Sequence, residues 1–593
     1  MIKRIILRNN IKVTMWACMA IFFSCTSAST NGIVKTNQIG YYPNGPKLAV
    51  VEGEKHGERF FVLSHDRKDT VYTGKIGEMR VSQFSGDITH ILDFSAFQDT
   101  GTYLLSVANA GMSYPFQIEP NVHQDLAKAA IKSYYFQRMS IELPEEFAGK
   151  WARLGGHPDT VVLVHASAVS PNRPENTAVF APKGWYDAGD YNKYVVNSGI
   201  TMGTLLSLYE DFPEYLERFS IDIPESDNQI PDLLDEVLWN LRWMLAMQDP
   251  EDGGVYHKLT AADFEGMIMP HEAKYPRYVV QKSTTAALNF AAVLAQSARI
   301  FRAFDAQLPG LADSCVHAAL HAWDWAVENP RQLYDQSALN KTFEPKITTG
   351  GYGDSNPSDE FIWAASELWI TTNDDRFKGH IALADAMQLP SWNQVSALGY
   401  YSLLRHKNKL EPDHAELSDT LKSNLILFAG SLLKNLQDNA FVTVMGGSEQ
   451  DFVWGSNAVA ANQGIALIQA YLLTEQQEYL AAALSNLDYI LGRNATGYSF
   501  VTGYGSKTPM HPHHRPSVAD DVEEPVPGLL AGGPNPGQQD NCSGYPSKAA
   551  DKSYVDSDCS YASNEVAINW NAPLVYLATA IEILQKDLKN APE

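Results

Sequence analysis

The sequence predicts a mostly α-helical protein in which a large helical domain follows a small β-sandwich. Over residues 32–120, short runs rich in β-branched and aromatic residues alternate with turn residues, a pattern typical of small antiparallel sheets. Over residues 122–588, apolar residues recur with the 3.6-residue period of amphipathic helices. A chain of 593 residues is long enough for one large and one small domain.

The first 25 residues are typical of an export signal. Basic residues within 1–12 precede an apolar run at 13–23 that is too short to cross a bilayer. Cys25 follows directly and would be the lipidated first residue of a bacterial lipoprotein, whereas cleavage after Ala28 would give a soluble secreted protein. We expect an exported protein: an outer-membrane lipoprotein attached only through a lipid anchor at Cys25, or a periplasmic or secreted form.

The predicted sandwich has no acid pair and no nucleophile motif, so we interpret it as structural. The stretch Phe97–Leu105 is immunoglobulin-like. The runs that predict its strands are 47–51, 59–63, 71–74, 90–94 and 101–107.

About twelve helices are predicted after residue 122. Paired helices in this number fit an (α/α)6 barrel, although a helix count alone does not select that fold over other large helical folds. Long loops between helices are usually functional. The predicted segments are 124–139, 195–210, 232–248, 283–304, 310–328, 358–372, 391–405, 416–437, 457–473, 476–492 and 564–585, with a shorter piece near 379–387.

Charge and aromatic content restrict the partners. The net charge of −24 argues against nucleic acid or an anionic membrane surface, both of which require basic patches, and is compatible with a neutral polymer. The chain has 12 Trp and 28 Tyr residues. Aromatics beyond those that a core needs often line sugar clefts, although large helical cores also use them and account for most of these residues.

The five cysteines divide by context. Cys542 and Cys559 flank a Gly/Pro/Ser-rich loop and, in an exported protein, are candidates for a disulfide. Cys315 lies in an apolar helical segment and is predicted to be a buried free thiol. The spacing of the Cys and His residues does not match a zinc site.

Two acidic stretches lie far apart in the chain. In the segment 184–194, Asp187 and Asp190 are separated by Ala-Gly and flanked by aromatics, so the backbone can turn tightly and bring both carboxylates together. In the segment 554–572, Glu565 is predicted to open an apolar helix, with Asp556 close before it. Either stretch could instead be an acidic helix cap.

A third stretch, 499–517, contains three histidines and Arg515 within five residues of a loop interrupted by prolines. Such a cluster cannot form an apolar core stripe, and a metal site would need further ligands. Hydrogen bonding to a hydroxylated ligand, with tuning of a nearby carboxylate, is the better use of these side chains.

The three stretches together resemble glycoside hydrolase family 9, the inverting cellulase family. The Asp-Ala-Gly-Asp pair, the Gly-x-Lys and Pro-His-x-Arg of the histidine loop, and the Tyr-x-Asp, Glu-x-Ala and Asn-Ala elements of 554–572 occur in the family's order. Segments 249–257 and 452–457 are similar to further family stretches. The resemblance covers residues 122–588 and implies an (α/α)6 barrel. The preceding domain resembles the immunoglobulin-like module of many bacterial members.

Inverting glycoside hydrolysis needs a carboxylic acid for the leaving oxygen and a carboxylate that activates water. We predict Glu565 as the acid, with a raised pKa, and Asp190 as the base. Asp187 is expected to help hold the water. The resemblance implies the remaining assignments. His513 and Arg515 would bind substrate hydroxyls near the leaving side, and Asp556 would orient or tune the residues that do so. Trp454 and Trp570 are predicted as stacking platforms, with core packing an equal alternative.

No cofactor is expected for the chemistry, but a structural calcium ion is predicted at the stretch 355–360. Ser355 would offer its carbonyl, and Asp359 and Glu360 would offer carboxylates. The family has calcium at a similar place. Asn393 stands where some relatives have Asp, and an acidic helix N-terminus is the alternative interpretation.

The sequence therefore predicts a monomeric endo-β-1,4-glucanase that acts on cellulose-type β-glucans, with xyloglucan and mixed-linkage glucan as candidate substrates. One alternative is an exo-acting β-glucosidase or glucosaminidase of the same family, and segments 141–183 and 525–550 are the places where a blocked cleft would show. Another is a non-catalytic glycan-binding lipoprotein, against which the retention of Asp187, Asp190 and Glu565 together argues.

Overall fold

The computed structural model describes residues 34–383, 386–408 and 415–588. The predicted export signal, with its lipidation residue Cys25, lies outside the described residues, as do residues 384 and 385 of the predicted short helix. No helix within the described ranges has both the length and the apolar character needed to cross a bilayer.

The N-terminal unit is a β-sandwich, as the alternating pattern predicted. Its strands pair in the order β1-β3-β6-β5-β4-β7-β9-β2, with β8 beside β7. The long strand β5 is shared between the two sheets of the sandwich. Its residues 70–75 pair with β4 and, after an irregularity, its residues 76–81 pair with β6. The strands are β1 (Val34–Lys35), β2 (Gly40–Tyr41), β3 (Leu48–Glu52), β4 (Arg59–Ser64), β5 (Thr70–Val81), β6 (Ile88–Asp93), β7 (Gly101–Val107), β8 (Gly111–Met112) and β9 (Phe116–Ile118).

The described residues after the sandwich form an (α/α)6 barrel. Eleven helices of ten or more residues occur among the described residues: α1 (Gln124–Phe136), α2 (Val195–Asp211), α3 (Asp232–Ala246), α4 (Thr284–Phe301), α5 (Leu311–Glu328), α6 (Ser358–Thr372), α7 (Ser396–Arg405), α8 (Ala415–Asp438), α9 (Ser456–Thr474), α10 (Gln477–Ile490) and α11 (Ile568–Leu584).

Burial separates the inner helices of the barrel from the outer ones. Helices α2, α4, α9 and α11 are buried around nearly their whole circumference, as expected for helices without a polar face. Contacts link α9, α11, α2, α4 and α6 in that order, while α5 packs on α4 and α10 packs on α9. Helix α8 buries only a narrow stripe of leucine and alanine side chains and therefore lies on the outside.

The helical domain also contains a small five-stranded sheet, which was not predicted from the sequence. Its strands are only two to four residues long, too short for an alternating pattern to be visible: β10 (Val162–Val164), β11 (Ala178–Val179), β12 (Lys193–Tyr194), β13 (Lys258–Ala261) and β14 (Arg277–Val279). They pair in the order β11-β10-β14-β13-β12. Strand β12 begins three residues after Asp190 and so fixes the end of the aspartate loop.

The predicted start of the last helix was wrong. Helix α11 begins at Ile568 rather than at 564, so Glu565 lies before the helix. The backbone of Glu565 forms a parallel bridge with His513, and its carbonyl oxygen accepts a hydrogen bond from the Gly532 N–H at 2.8 Å. These pairings occupy the backbone groups that a helix would use. The short helix predicted near 379–387 is also different, because a 3-10 turn spans Asp375–His380.

Buried polar contacts dock the sandwich onto the barrel. The Asn37 side-chain amide donates to Asp488 at 2.8 Å, and the Tyr42 hydroxyl donates to Glu582 at 2.8 Å. Arg493 donates to the carbonyl oxygen of Leu48 at 3.0 Å. Each of these polar groups is removed from water at the interface and finds its hydrogen-bond partner on the other domain. The contacts therefore stabilise one relative orientation of the sandwich and the barrel.

Candidate active site

A cleft of about 770 Å³ brings the three predicted stretches together. This volume lies in the range of natural ligand pockets. Seven of the residues singled out in the sequence line it: Asp187, Asp190, Trp454, His513, Arg515, Glu565 and Trp570.

One carboxylate oxygen of Asp190 is hydrogen-bonded and the other has no partner among the described residues. Its Oδ2 accepts hydrogen bonds from the Asn192 side-chain amide at 2.6 Å and from the Tyr194 hydroxyl at 3.0 Å. Its Oδ1 is buried and has no hydrogen-bond partner among the described residues. The two donors fix the orientation of the carboxylate and leave Oδ1 free to accept a proton from a bound molecule.

Both carboxylate oxygens of Asp187 accept hydrogen bonds, unlike those of Asp190. Both of its oxygens accept from the Asn197 amide, at 3.0 and 3.1 Å, and Oδ2 also accepts from the Tyr352 hydroxyl at 3.2 Å. Burial raises the pKa of Asp187 well above its usual range, and the neighbouring Asp190 charge raises it further. Asp187 therefore holds its proton to higher pH than an isolated aspartate does.

Glu565 lies in the same cleft, on the segment before α11. Burial raises the pKa of Glu565 well above its usual range, and the charges of Asp190 and Asp187 raise it further. The Arg515 guanidinium and the backbone amide of Gly189 act in the opposite direction and only partly offset this. The expected raised pKa of Glu565 is thus present, with burial rather than charged neighbours as its largest cause.

Glycine is required between the two aspartates. A Cβ atom at Gly189 would lie 2.0 Å from the carbonyl oxygen of His513, so no larger residue fits without moving the backbone. The Ile568 N–H donates to the Asp187 carbonyl oxygen at 2.8 Å. The aspartate loop is therefore bonded directly to both segments that carry the other predicted site residues.

The three histidines of the 511–514 segment have different environments. His511 is exposed, and His514 is buried between Ser517 and Gln137. Only His513 lines the cleft, and its Nδ1–H donates to the carbonyl oxygen of Asp558 at 2.6 Å. Burial lowers the pKa of His513, so the neutral ring presents Nε2 as an acceptor, which suits a sugar hydroxyl.

Asp556 does not line the cleft. Its carboxylate accepts from the backbone N–H groups of Met510 and His511, both at 2.9 Å, and from the Asn564 amide at 3.1 Å. It therefore joins the histidine loop to the residue just before Glu565. Any influence of Asp556 on the chemistry is through the position of these segments.

Aromatic side chains form much of the cleft wall. Trp454 is 42% exposed, which core packing does not explain, and its ring lies 5.5 Å from that of Tyr561. Trp570 is half-buried and packs against Gly455. Phe264, Tyr352 and Trp392 also belong to this wall, although the sequence did not predict them there. An isolated loop aromatic has no local pattern that separates a cleft position from a core position.

Cys542 and Cys559 form a disulfide in the structure, and Cys315 is a buried free thiol. The bridge closes a loop that ends six residues before Glu565. Just before this loop, Asp540 accepts hydrogen bonds from Tyr545 inside the loop and from Ser560 and the backbone of Ala562 just after it. The loop is thus folded against the segment that carries the catalytic candidate.

Three carboxylates form a potential cation site near α6. Ligand oxygens of Asp354, Asp359 and Glu360 lie within 4.8 Å of one another. Both oxygens of Glu360 and Oδ2 of Asp354 are buried without a hydrogen-bond partner in the described part of the chain. Asp354 was not named from the sequence. Hard oxygen donors with unsatisfied charge are the donor set that calcium prefers.

A barrel with paired acids and a third carboxyl facing an aromatic-lined cleft defines a glycoside hydrolase. Comparison with known proteins agrees with this class. Residues 123–578 match the model of glycosyl hydrolase family 9, and residues 29–112 match the cellulase N-terminal ig-like domain. The chain therefore belongs to glycosyl hydrolase family 9.

Relatives cover almost the whole chain. A xyloglucan-specific endo-β-1,4-glucanase of Bacteroides ovatus is 48% identical over 563 residues, covering 94% of this chain and 95% of that protein. Endoglucanase D of Acetivibrio thermocellus is 33% identical over 553 residues, covering 92% and 82%. A solved structure of a Bacteroides ovatus family 9 protein has a TM-score of 0.88 at 46% identity, covering 93% and 99%.

Proposed function

We propose that this protein is an inverting endo-β-1,4-glucanase that cleaves the backbone of xyloglucan. The observation that carries the proposal is the convergence of Asp190, with one open oxygen, and Glu565, with a raised pKa, on one aromatic-lined cleft. The xyloglucan assignment is supported by the 48% identity to a protein that is named for this specificity.

In the proposed mechanism, Asp190 is the general base and Glu565 the general acid. Water bound at Oδ1 of Asp190 gives up a proton to that oxygen as the water oxygen attacks the anomeric carbon. Glu565 transfers its own proton to the glycosidic oxygen, whose bond to that carbon breaks. The attacking oxygen ends on the face opposite the departed sugar, so the configuration is inverted.

Asp187 and His513 assist in different ways in this proposal. Asp187, held by Asn197 and Tyr352, supplies a second oxygen for the hydrolytic water. His513 accepts a hydrogen bond from a substrate hydroxyl through Nε2. Trp454 and Trp570 provide flat apolar faces for glucosyl rings, and Arg515 carries positive charge beside the acid.

Endo action is supported by the composition of the cleft wall. Neither of the segments that were candidates for blocking one end, 141–183 and 525–550, contributes a residue to the cleft lining among the described residues. A cleft that neither segment closes can bind a polymer along its length, and it leaves room for the xylosyl branches of xyloglucan.

Substrate and cleavage mode are tested together by incubation with xyloglucan, carboxymethylcellulose and mixed-linkage β-glucan. We expect the highest kcat/KM on xyloglucan, a rapid fall in viscosity, and branched oligosaccharide products. Release of single sugars with little loss of viscosity would instead establish the exo-acting alternative.

We also propose that Asp354, Asp359 and Glu360, with the Ser355 carbonyl, hold a structural calcium ion. Burial raises the pKa of Asp359, and it raises the pKa of Glu360 well above its usual range, with the Asp359 charge raising that of Glu360 further. A divalent cation would remove this repulsion without taking part in the reaction.

Export and domain organisation complete the proposal: a signal at 1–25, an immunoglobulin-like domain at 32–120, a catalytic domain at 122–588, and a monomeric protein. Attachment through lipidated Cys25 is tested by incorporation of labelled palmitate into the expressed full chain. Label in the native protein and none in Cys25→Ala supports the lipoprotein form, and no label in either supports the secreted form.

A further inference from the structure

A second cavity, of about 300 Å³, lies between the β-sandwich and the barrel. It shares no residue with the catalytic cleft. Its walls come from the turn after β5, the end of α8, the following loop and α10. We call it the junction pocket and define it by Gln83, Phe84, Asn435, Met445, Tyr489 and Asp551.

Asp551 lines the junction pocket and, among the described residues, has one unpaired carboxylate oxygen. The side chain is only 6% exposed. Its Oδ2 accepts hydrogen bonds from the hydroxyls of Ser82, at 2.5 Å, and Ser85, at 2.9 Å, both on the sandwich. Its Oδ1 is buried and has no partner among the residues that the structure describes. The two serines fix the carboxyl group so that Oδ1 remains as an acceptor.

Tyr489 adds a second unpaired group from the opposite domain. It is 4% exposed, and its ring lies 6.3 Å from that of Phe500. Its hydroxyl is buried without a hydrogen-bond partner in the described ranges. A buried polar group left unpaired costs roughly 1–3 kcal/mol. Two such groups in one cavity can pair with water or with the hydroxyls of a small molecule.

The remaining lining restricts the class of molecule. Phe84 and Phe452 form an edge-to-face pair with ring centres 5.0 Å apart, which gives the pocket an apolar wall. Side-chain amides of Gln83 and Asn435 also line it. Lys434 and Asp438, which carry opposite charges, also line the pocket. The volume is at the lower end of the range for ligand pockets, which suits a small molecule rather than a polymer.

We propose that the junction pocket binds a mono- or disaccharide, whose hydroxyls pair with Asp551 Oδ1 and Tyr489 Oη and whose apolar face packs against Phe84. Because its walls belong to both domains, an occupied pocket holds the sandwich against the barrel. The catalytic cleft is a separate site with its own aromatic wall.

Met445 provides a local reporter, because it lines the junction pocket and no methionine lines the cleft. The full chain is labelled with 13C-methyl methionine, the Met445 signal is assigned with Met445→Leu, and D-glucose, D-xylose and D-galactose are added in turn. We expect at least one sugar to shift the Met445 signal with a saturable dependence on concentration. Tyr489→Phe should weaken that binding roughly fivefold or more, since it removes one pairing group.

Tyr401→Phe is the matched control. The Tyr401 hydroxyl is also buried without a partner among the described residues, but it lies in α7 and lines neither cavity. This variant should keep the wild-type affinity. The proposal is overturned if no sugar moves the Met445 signal, which means that the pocket holds water only. It is equally overturned if Tyr489→Phe leaves the affinity unchanged while Trp454→Ala abolishes the shift, because the sugar then binds in the cleft.

Discussion

Arg515 donates two hydrogen bonds to the carbonyl oxygen of Gly189, from its backbone N–H at 3.2 Å and from its guanidinium at 2.7 Å. Gly189 lies between the two aspartates, so this contact fixes the aspartate loop against the histidine loop. The guanidinium also donates to the Glu265 carbonyl oxygen at 2.9 Å. One side chain thereby sets the position of the loop and lowers the pKa of the acid opposite it.

Replacement of Arg515 should change the pH dependence as well as the rate. In Arg515→Met the positive charge that lowers the pKa of Glu565 is lost, so that pKa rises and Glu565 stays protonated to higher pH. We expect a lower kcat and an alkaline limb of kcat/KM that moves to higher pH. A fall in kcat with an unmoved alkaline limb would mean that Arg515 acts only by holding Gly189.

The two catalytic candidates should differ in their dependence on the leaving group. Glu565→Gln cannot donate a proton, so xyloglucan hydrolysis should fall by about 10²–10⁴-fold, while an aryl glycoside with an acidic phenol should be much less affected. Asp190→Ala should abolish turnover of both substrates, because water activation is needed in each case. If Glu565→Gln loses activity equally on both substrates, Glu565 is not the general acid.

The exposed tryptophan in the cleft should contribute to binding of the polymer rather than to chemistry. In Trp454→Ala, loss of one stacking face worth about 1–1.5 kcal/mol should raise KM for xyloglucan roughly tenfold with little change in kcat. Phe180→Ala is the control, since Phe180 is 66% exposed and lies outside the cleft lining. An unchanged KM in Trp454→Ala, or an equal rise in both variants, would contradict the stacking role.

Removal of calcium should lower stability in a pH-dependent way. At about 100 times Kd, calcium would add about 2.7 kcal/mol, which chelation with EDTA removes. Without the cation, the raised pKa of Glu360 means that the folded state binds more protons than the unfolded state, so the stability of EDTA-treated protein should fall as pH rises through the usual carboxyl range toward the folded pKa. Differential scanning calorimetry at several pH values measures both effects.

Glu360→Gln separates this site from unspecific effects of the chelator. The variant removes one of the repelling charges, so its Tm in EDTA should equal or exceed that of EDTA-treated wild type, and added calcium should stabilise it less. If the wild-type Tm responds to neither EDTA nor calcium, the three carboxylates do not bind calcium and the proposal is wrong.

The sequence was informative wherever a periodic pattern or a multi-residue motif was long enough to stand out. The inner helix α9 was predicted within one residue at each end, and α4 within one residue at its start and three at its end, since their apolar runs are long. The five-stranded sheet was missed because none of its strands exceeds four residues. Glu565 was placed on a helix because Ile568 and the residues after it continue the apolar pattern, whereas pairing with His513 and Gly532 decides its backbone.

Supporting residues of the site were beyond the reach of local patterns. Asn197 and Tyr352 both bind Asp187, yet they lie 10 and 165 residues from it in the chain. Asp354 lies in the loop before α6, and only the three-dimensional fold shows that its carboxylate is near that of Glu360. Their functions depend on tertiary contacts that a single sequence does not encode as a motif.

The anomeric configuration of the first product tests the central claim most directly. When a xyloglucan oligosaccharide is cleaved in the NMR tube, we expect the new reducing end to appear first as the α-anomer, because water bound by Asp190 attacks opposite the group protonated by Glu565. Its later mutarotation to the equilibrium mixture gives the internal reference. Initial release of the β-anomer would require a covalent intermediate on one of these carboxylates and would contradict the proposed mechanism.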